Sequence, residues 1–378
     1  MTMSTSDIAV SMTDLVGQWI GRISGNINGT LTLNFDSDRV QYGLILVAID
    51  GETNIGFVGR FFCHFNHERF QFWTNEIAPT VSGGIRSEIP NSINAHGICS
   101  NGCFSGTWTS ENNKSGEFTV SHQDESEPTS ASVSFDSWDN FQQWMRERRK
   151  FESRYIYRGH ERSTYRLEST FHCAGRRNIA RYSSEDIPEL YRVLAPLLTH
   201  RFDLNNPVDF LAFLFLARHH GYPTPLLDWS ESHYVAAFFA FSRGEIPASP
   251  PEYVRILEFD PDNYDRVLDK KFKLTTILEP APKLEIVGAI PFGNPRAIPQ
   301  QSKVMFSNVA NAERFILGLE KLGLENNEQY VILNKIDLKY SMRDDVMAYL
   351  RYIGITPATM FPGLDGACRA LAQKYFNR

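Results

Sequence analysis

The stretch His219-His220-Gly221-Tyr222-Pro223-Thr224-Pro225-Leu226-Leu227-Asp228-Trp229-Ser230, followed shortly by Val235-Ala236-Ala237-Phe238-Phe239-Ala240-Phe241, decides how this chain is read. Two histidines sit at the end of a helix, a Gly-Tyr-Pro-Thr-Pro turn follows, and a short buried strand runs into an apolar helix. Successive strand residues point to opposite faces, so Asp228 and Ser230 share one face and Trp229 takes the other. A carboxylate, a hydroxyl and an indole converging at a strand-to-helix junction suit a small-molecule pocket. The plainer reading has Asp228 capping the next helix and Trp229 in the core, and both readings can hold together. A metal site made of His219, His220 and Asp228 fits poorly, because adjacent helical residues point about 100° apart.

Working outward, the preceding helix covers about 207–220, framed by Asn206 as cap, Pro207 in the first turn and Gly221 just past the end. Another helix is expected at about 185–201. Upstream, Ser137 caps a helix carrying Trp138, Phe141, Trp144 and Met145 at helical spacing, and Arg154-Tyr155-Ile156-Tyr157-Arg158 reads as a strand stopped by Gly159. Downstream, strands are expected at 253–259, 285–291, 303–307 and 330–336. Helices follow at 342–353, with Ser341 and Asp344 resembling a capping box, and at about 364–376. Strands and helices mix without strict alternation, which makes this half an α+β domain.

The first third has a different texture. From about Val16 to Val120, short alternating runs such as Thr30-Leu31-Thr32-Leu33-Asn34-Phe35 and Arg69-Phe70-Gln71-Phe72-Trp73 are broken by Gly, Asn and Asp. Period-two apolarity with regular turn signals predicts an antiparallel barrel or sandwich. Gly17-Gln18-Trp19-Ile20-Gly21 and Gly106-Thr107-Trp108 look alike, as the first and last strands of a barrel could. The expected layout is a β-barrel-like domain over 1–121, a Ser/Glu/Thr-rich linker over 122–135, and an α+β domain over 136–378. Cys99, Cys103 and His96 lack a second ligand pair, so they read as core or loop residues rather than a zinc site.

The chain has 378 residues, 42% hydrophobic and 22% charged, with five cysteines and a net charge of -6. That length allows two or three domains with their own cores. Leu, Ile, Val and Phe are too plentiful for wholesale disorder. No apolar run approaches a membrane span, and Met1 to Met12 lacks the basic-then-apolar pattern of a signal peptide. Scattered, odd-numbered cysteines point to a reducing, cytoplasmic address. The charge is uneven: residues 1–130 hold six Lys/Arg against fourteen Asp/Glu, whereas 146–181 hold eleven against four. A field of that sign attracts phosphate-bearing partners, unless the run is a self-neutralised helix surface.

Two further segments carry chemistry. Tyr157-Arg158-Gly159-His160 places an arginine at a strand end, where its fork could meet a phosphate, a carboxylate or a structural ion pair. Asn294 to Phe306 sets amides, including Gln300 and Gln301, just before a strand, where they could hold a ribose or a base. No Gly-rich phosphate loop, Gly-x-Ser-x-Gly elbow or His-Glu-x-x-His helix is present.

Taken in order, these segments resemble the FRG domain family, named for a Phe/Tyr-Arg-Gly motif that here is Tyr157-Arg158-Gly159. Tyr165 to Ser169 is similar to the family's next aromatic-to-serine stretch. The block from His219 to Ala240 is similar to its His-x-Gly-x-Pro-Thr-x-Leu-Leu-Asp-Trp-Thr run and helix. The tail from Gly354 through Leu364-Asp365-Gly366-Ala367 is similar to its ending. The resemblance covers roughly 135–378. This sequence departs from it at Pro225, where arginine is usual, at Tyr165, where tryptophan is common, and at Ser302, where glycine usually follows the glutamine.

The resemblance implies an ADP-ribosyltransferase-like core with NAD as substrate. On that mapping Arg158, Tyr157, His220 and Trp229 would bind the nucleotide, and Asp228, Gln300 and Ser230 would form the catalytic set. It implies a toxin or anti-phage defence effector acting on a macromolecule. The alternatives are a non-catalytic nucleotide sensor or interaction module of bacterial defence, and a nucleic-acid-binding protein using the 146–181 run.

Overall fold

The computed structural model describes residues 15–51, 55–66, 68–80, 89–123, 129–148, 155–242, 249–268, 278–288, 290–325 and 330–376. Among them, β1 (Gly17–Gly25), β2 (Gly29–Phe35), β3 (Tyr42–Ile49), β4 (Gly56–Asn66), β5 (Arg69–Pro79), β6 (Ile93–Ser100), β7 (Cys103–Ser110) and β8 (Ser115–His122) form a closed antiparallel barrel. β8 returns to pair with β1, closing the sheet and removing its edges. Inward residues of the alternating strands fill the interior with rings: Phe35, Phe61, Phe72 and Phe104 meet edge-to-face or tilted at 5.0 to 6.3 Å. An apolar void of about 30 Å³ remains among the described residues, far below the roughly 300 Å³ at which ligand sites begin.

The second domain is built on a seven-stranded sheet ordered β13-β14-β11-β10-β12-β15-β9. Its strands are β9 (Val133–Phe135), β10 (Ile156–His160), β11 (Leu226–Ser230), β12 (Tyr253–Phe259), β13 (Leu284–Val287), β14 (Ser302–Ser307) and β15 (Leu333–Lys339). All neighbours are antiparallel except β15 and β9. Its helices are α1 (Trp138–Arg148), α2 (Thr170–Cys173), α3 (Ile179–Arg181), α4 (Ile187–Leu194), α5 (Pro207–His219), α6 (His233–Phe241), α7 (Pro261–Val267), α8 (Ala312–Glu325), α9 (Arg343–Tyr352), α10 (Pro357–Met360) and α11 (Leu364–Phe376). No helix among the described residues is long and apolar enough to cross a membrane. The architecture is an all-β barrel followed by an α+β domain, as the two textures of the sequence predict.

Local differences have physical causes. Of the 122–135 stretch, His122 ends β8 and Val133–Phe135 add β9 to the second sheet; residues 124–128 lie outside the described residues. Helix α9 is not capped by Ser341, because Tyr340–Met342 forms a 3-10 turn and no side chain caps the helix start. α7 and α8 are helices that the sequence reading left unassigned. Asn206 caps α5 through its side-chain oxygen, which accepts from Val208 N–H, and Gly221 takes the left-handed backbone just past the helix end, as expected.

The most consequential difference is at Gly159. It does not stop its strand: β10 continues through it to His160. Helix α6 crosses directly over this position, and a Cβ on residue 159 would lie 2.0 Å from the Ala236 carbonyl oxygen. Glycine there, facing alanines on the helix, lets two backbones touch.

The two domains are packed together. Leu44 and Leu46 on the outer side of β3 are buried in one cluster with Phe171, Ile179 and α5 residues, whereas Ile45 and Val47 belong to the barrel core. The Gln18 amide donates to Asn308 O (2.7 Å) and its oxygen accepts from Ala310 N–H (2.9 Å). Arg181 reaches both Asp36 (3.0 Å) and Asp38 (2.7 Å) across the junction.

Candidate functional site

A cavity of about 1030 Å³ lies over the centre of the sheet, with walls from β10, β11, α2, the end of α5, and the 296–302 and 361 regions. That volume is at the upper end of the range for small-molecule and cofactor sites, about 300–1,000 Å³. Four arginines border it (Arg158, Arg166, Arg218 and Arg296), against the three acids Glu161, Glu168 and Asp228. Tyr157, Tyr165, Phe239 and Phe361 supply aromatic surface.

Pairing of β10 and β11 sets Tyr157 opposite Ser230 and brings the Tyr-Arg-Gly and Asp-Trp-Ser motifs side by side. Arg158 donates from Nη1 to the Asp228 carbonyl oxygen (2.6 Å) and from Nε to His160 Nε2 (3.2 Å). Those bonds fix the guanidinium and leave the rest of its fork for a ligand. Burial, and then the charge of Arg218, push the Arg158 pKa down to about 10. A desolvated cation beside a second one is poised to accept an anion. His160 is buried and acts as an acceptor, and burial, then Arg158, push its pKa down to about 3. The imidazole is neutral.

Asp228 Oδ2 accepts from Arg218 Nε at 2.9 Å, while Oδ1 is buried without a hydrogen-bond partner. Arg218 also donates to Thr170 Oγ1 (2.9 Å) on α2. Ser230 Oγ donates to the Gln300 carbonyl oxygen (2.7 Å), and Gln300 Nε2 donates to Met360 O (2.8 Å). Asp228 does not cap the following helix. Ser232 does, accepting from Val235 N–H. Trp229 borders the cavity but buries its ring against Phe259, 5.7 Å between centroids.

The structure therefore brings Tyr157, Arg158, Asp228, Trp229, Ser230 and Gln300 onto one cavity wall. His220 is not there. It is the exposed C-cap residue of α5 and does not border the cavity, while His219 one position earlier does; neighbours on a helix diverge by about 100°. His219 Nδ1 lies 2.9 Å from both Phe215 O, to which it donates in one tautomer, and Asn294 Nδ2, from which it accepts in the other, and burial lowers its pKa. Sequence reasoning missed Arg218, Thr170 and Glu168. Arg218, on the last turn before His219, was within reach of it, since a basic residue there faces the strand that the turn delivers. No group of three His, Cys, Asp or Glu that could hold a metal occurs among the described residues.

Part of the basic run at 146–181 is paired with carboxylates, while its members Arg158 and Arg166 border the cavity. Arg148 pairs with the fully buried Glu258 at 2.5 Å, Arg176 with Asp36 and Asp186, Arg177 with Glu168, and Arg181 with Asp36 and Asp38. Arg149, Lys150 and Arg154 lie outside the described residues. Of the ion pairs, those of Arg176 with Asp36 and of Arg181 with Asp36 and Asp38 cross the domain junction.

An antiparallel-centred sheet with an arginine- and aromatic-lined cavity at adjoining Tyr-Arg-Gly and Asp-Trp-Ser strands makes this an α+β domain with a cavity of small-molecule size. Residues 153–247 match the model of the FRG domain family, and the chain carries an FRG domain there. A search of curated proteins found no match. Among solved structures, the chain is similar to a redesigned β-barrel, mFAP1, bound to DFHBI, at 11% identity and a TM-score of 0.23. That match covers 29% of this chain and 97% of that one. A second redesigned β-barrel matches at 13% identity and a TM-score of 0.23, over 31% of this chain and 99% of that one.

Proposed function

We propose that the FRG-domain cavity binds NAD or a related nucleotide, and that the protein is an ADP-ribosyltransferase-like enzyme acting on a macromolecule, in the manner of a toxin or anti-phage effector. The observation carrying this reading is Arg158, held by His160 and the Asp228 backbone with part of its fork directed to a cavity of cofactor size. Arg158 would take a phosphate, and the neighbouring aromatic rings a base or nicotinamide. In the reaction the bond from ribose C1′ to nicotinamide breaks, its electron pair leaves with nicotinamide, and a nucleophile on the target bonds to C1′. The Asp228 carboxylate would stabilise the cationic ribosyl transition state. Arg218 orients it through the bond from Nε to Oδ2.

A second reading, nucleotide sensing without turnover, is favoured by one observation. Ser230 Oγ and Gln300 Nε2 are both spent on backbone carbonyls rather than presented to a substrate. One experiment separates the two. Labelled NAD is incubated with cell lysate and wild type, Arg158→Ala or Asp228→Ala protein. The enzyme reading expects labelled macromolecule or free nicotinamide, falling by about 10²–10³ when the charge-stabilising group is removed. A thermal shift with NAD but no turnover selects the sensor, and the absence of both turnover and thermal shift rules out NAD as the ligand.

A further inference from the structure

The cavity wall formed by α2 is held from outside its own domain. The segment from Glu168 to Asp186 contains a four-residue helix, a three-residue helix and a five-residue π turn. Pieces that short do not stabilise themselves. Their backbone is instead gathered by Asp36, which follows β2 in the barrel and is only 2% exposed. Asp36 Oδ1 accepts the N–H groups of Arg177 (2.6 Å) and Asn178 (2.8 Å). Its Oδ2 accepts from Arg176 Nε and Arg181 Nη1 (both 3.0 Å). Ser37 N–H adds a bond to Gly175 O (3.0 Å). Gly175 has φ +74°, and a Cβ there would lie 2.5 Å from Ser37 Oγ, so glycine is what lets the barrel turn approach.

From that anchor the contacts run to the cavity. The Arg177 guanidinium donates to His172 O on α2 and reaches Glu168 (3.5 Å). Thr170 on α2 accepts from Arg218, which holds Asp228 (both 2.9 Å). Glu168, Thr170 and Cys173 border the cavity. A carboxylate accepting two amides and two guanidiniums in a buried site is worth far more than a surface ion pair, and its loss leaves four donors unpaired.

We propose that Asp36 is a positioning residue of the FRG-domain cavity, and that the barrel serves as the fixed buttress of its α2 wall. The inference concerns the shape of the cavity and holds whether or not NAD is its ligand. The test uses the full chain without ligand. Cys173, exposed on the α2 wall, is labelled with a neutral thiol reagent, with the exposed Cys368 on α11 as internal reference. Amide exchange is followed over 169–178. Asp36→Ala is expected to speed amide exchange in that segment by roughly tenfold or more and to raise the labelling rate of Cys173 relative to Cys368 as its surroundings loosen. Asp36→Asn retains an acceptor for the two amides and should fall between, which keeps the test usable if the alanine variant does not fold. Phe118→Leu, in the barrel core and away from Asp36, serves as a control of matched Tm. If it raises Cys173 labelling as much as the Asp36 variants do, or if the Asp36 variants leave labelling and exchange unchanged, the proposal is overturned.

Discussion

Replacing Gly159 with alanine is expected to cost the protein at least about 3 kcal/mol, enough to leave little folded material. Overpacking a core costs typically 1–3 kcal/mol when side chains can move aside, and at Gly159 none can. The added methyl would stand 2.0 Å from Ala236 O, 2.8 Å from Ala240 N and 3.0 Å from Ala236 C, all backbone atoms of α6. Relief requires lifting α6, whose Val235, Ala236, Ala237, Phe238, Ala240 and Phe241 are buried in one cluster with Phe141, Tyr157 and Ile256. It would also part β10 from β11, and with it Arg158 from the Asp228 carbonyl. The informative comparison is Gly318→Ala on α8, where an added Cβ meets nothing within 4 Å and should stabilise by about 0.5–1 kcal/mol through helix propensity. Urea unfolding of both variants checks this. A Gly159→Ala protein within about 1 kcal/mol of wild type would refute the close-approach account of the Tyr-Arg-Gly motif.

The sequence is legible where periodicity is enforced locally. The strand Leu226–Ser230 and the shared face of Asp228 and Ser230 followed from two-residue periodicity, which burial enforces locally. The same rule exposed the barrel, whose alternating strands have one wet face. It was less informative for β3, where Gly43 to Ala48 is apolar throughout because Ile45 and Val47 fill the barrel while Leu44 and Leu46 face the second domain. A continuous run says that both faces are buried without saying against what. Gly159 was misread for a similar reason: a glycine reads locally as a turn, and its real constraint comes from a helix some eighty residues away. How far the basic run is neutralised is not legible locally, because carboxylate partners such as Asp36 and Asp38 are far off in sequence. Local charge sums register the arginines but not their pairing.

Acidification is expected to destabilise the FRG domain well above the carboxylate range, because two buried histidines must stay neutral. Burial, then Arg158, pushes His160 down to about 3; burial, then Arg177, holds His172 well below its usual value. For each, the unfolded chain binds a proton near pH 6.5 and the folded chain does not. Below about pH 6.5 the unfolded state therefore carries more protons, for His160 down to about pH 3, and stability must fall as pH falls through the neutral-to-mildly-acid range. The slope is about 1.4 kcal/mol per pH unit for each histidine, so roughly 3 for the pair. His160 cannot avoid this by accepting a proton in place: its Nε2 already accepts from Arg158, and Arg255 also bears on it. His172 is similarly committed, with Nδ1 bonded to Ser169 Oγ at 2.7 Å beneath the Arg177 side chain. Asp38, whose pKa is lowered by its bond to Arg181, contributes stability that is lost only below the ordinary carboxylate range, outside this window. Urea unfolding at pH 7.5, 6.5, 5.5 and 5.0 should show a plateau above about pH 7 and a steep decline below it. His160→Gln should reduce the slope by about half. A midpoint that stays level from pH 7.5 to 5.0 would mean that the Arg158–His160 pair is not held neutral-to-cation as the cavity wall requires, and that Arg158 is not fixed for an anion by this imidazole.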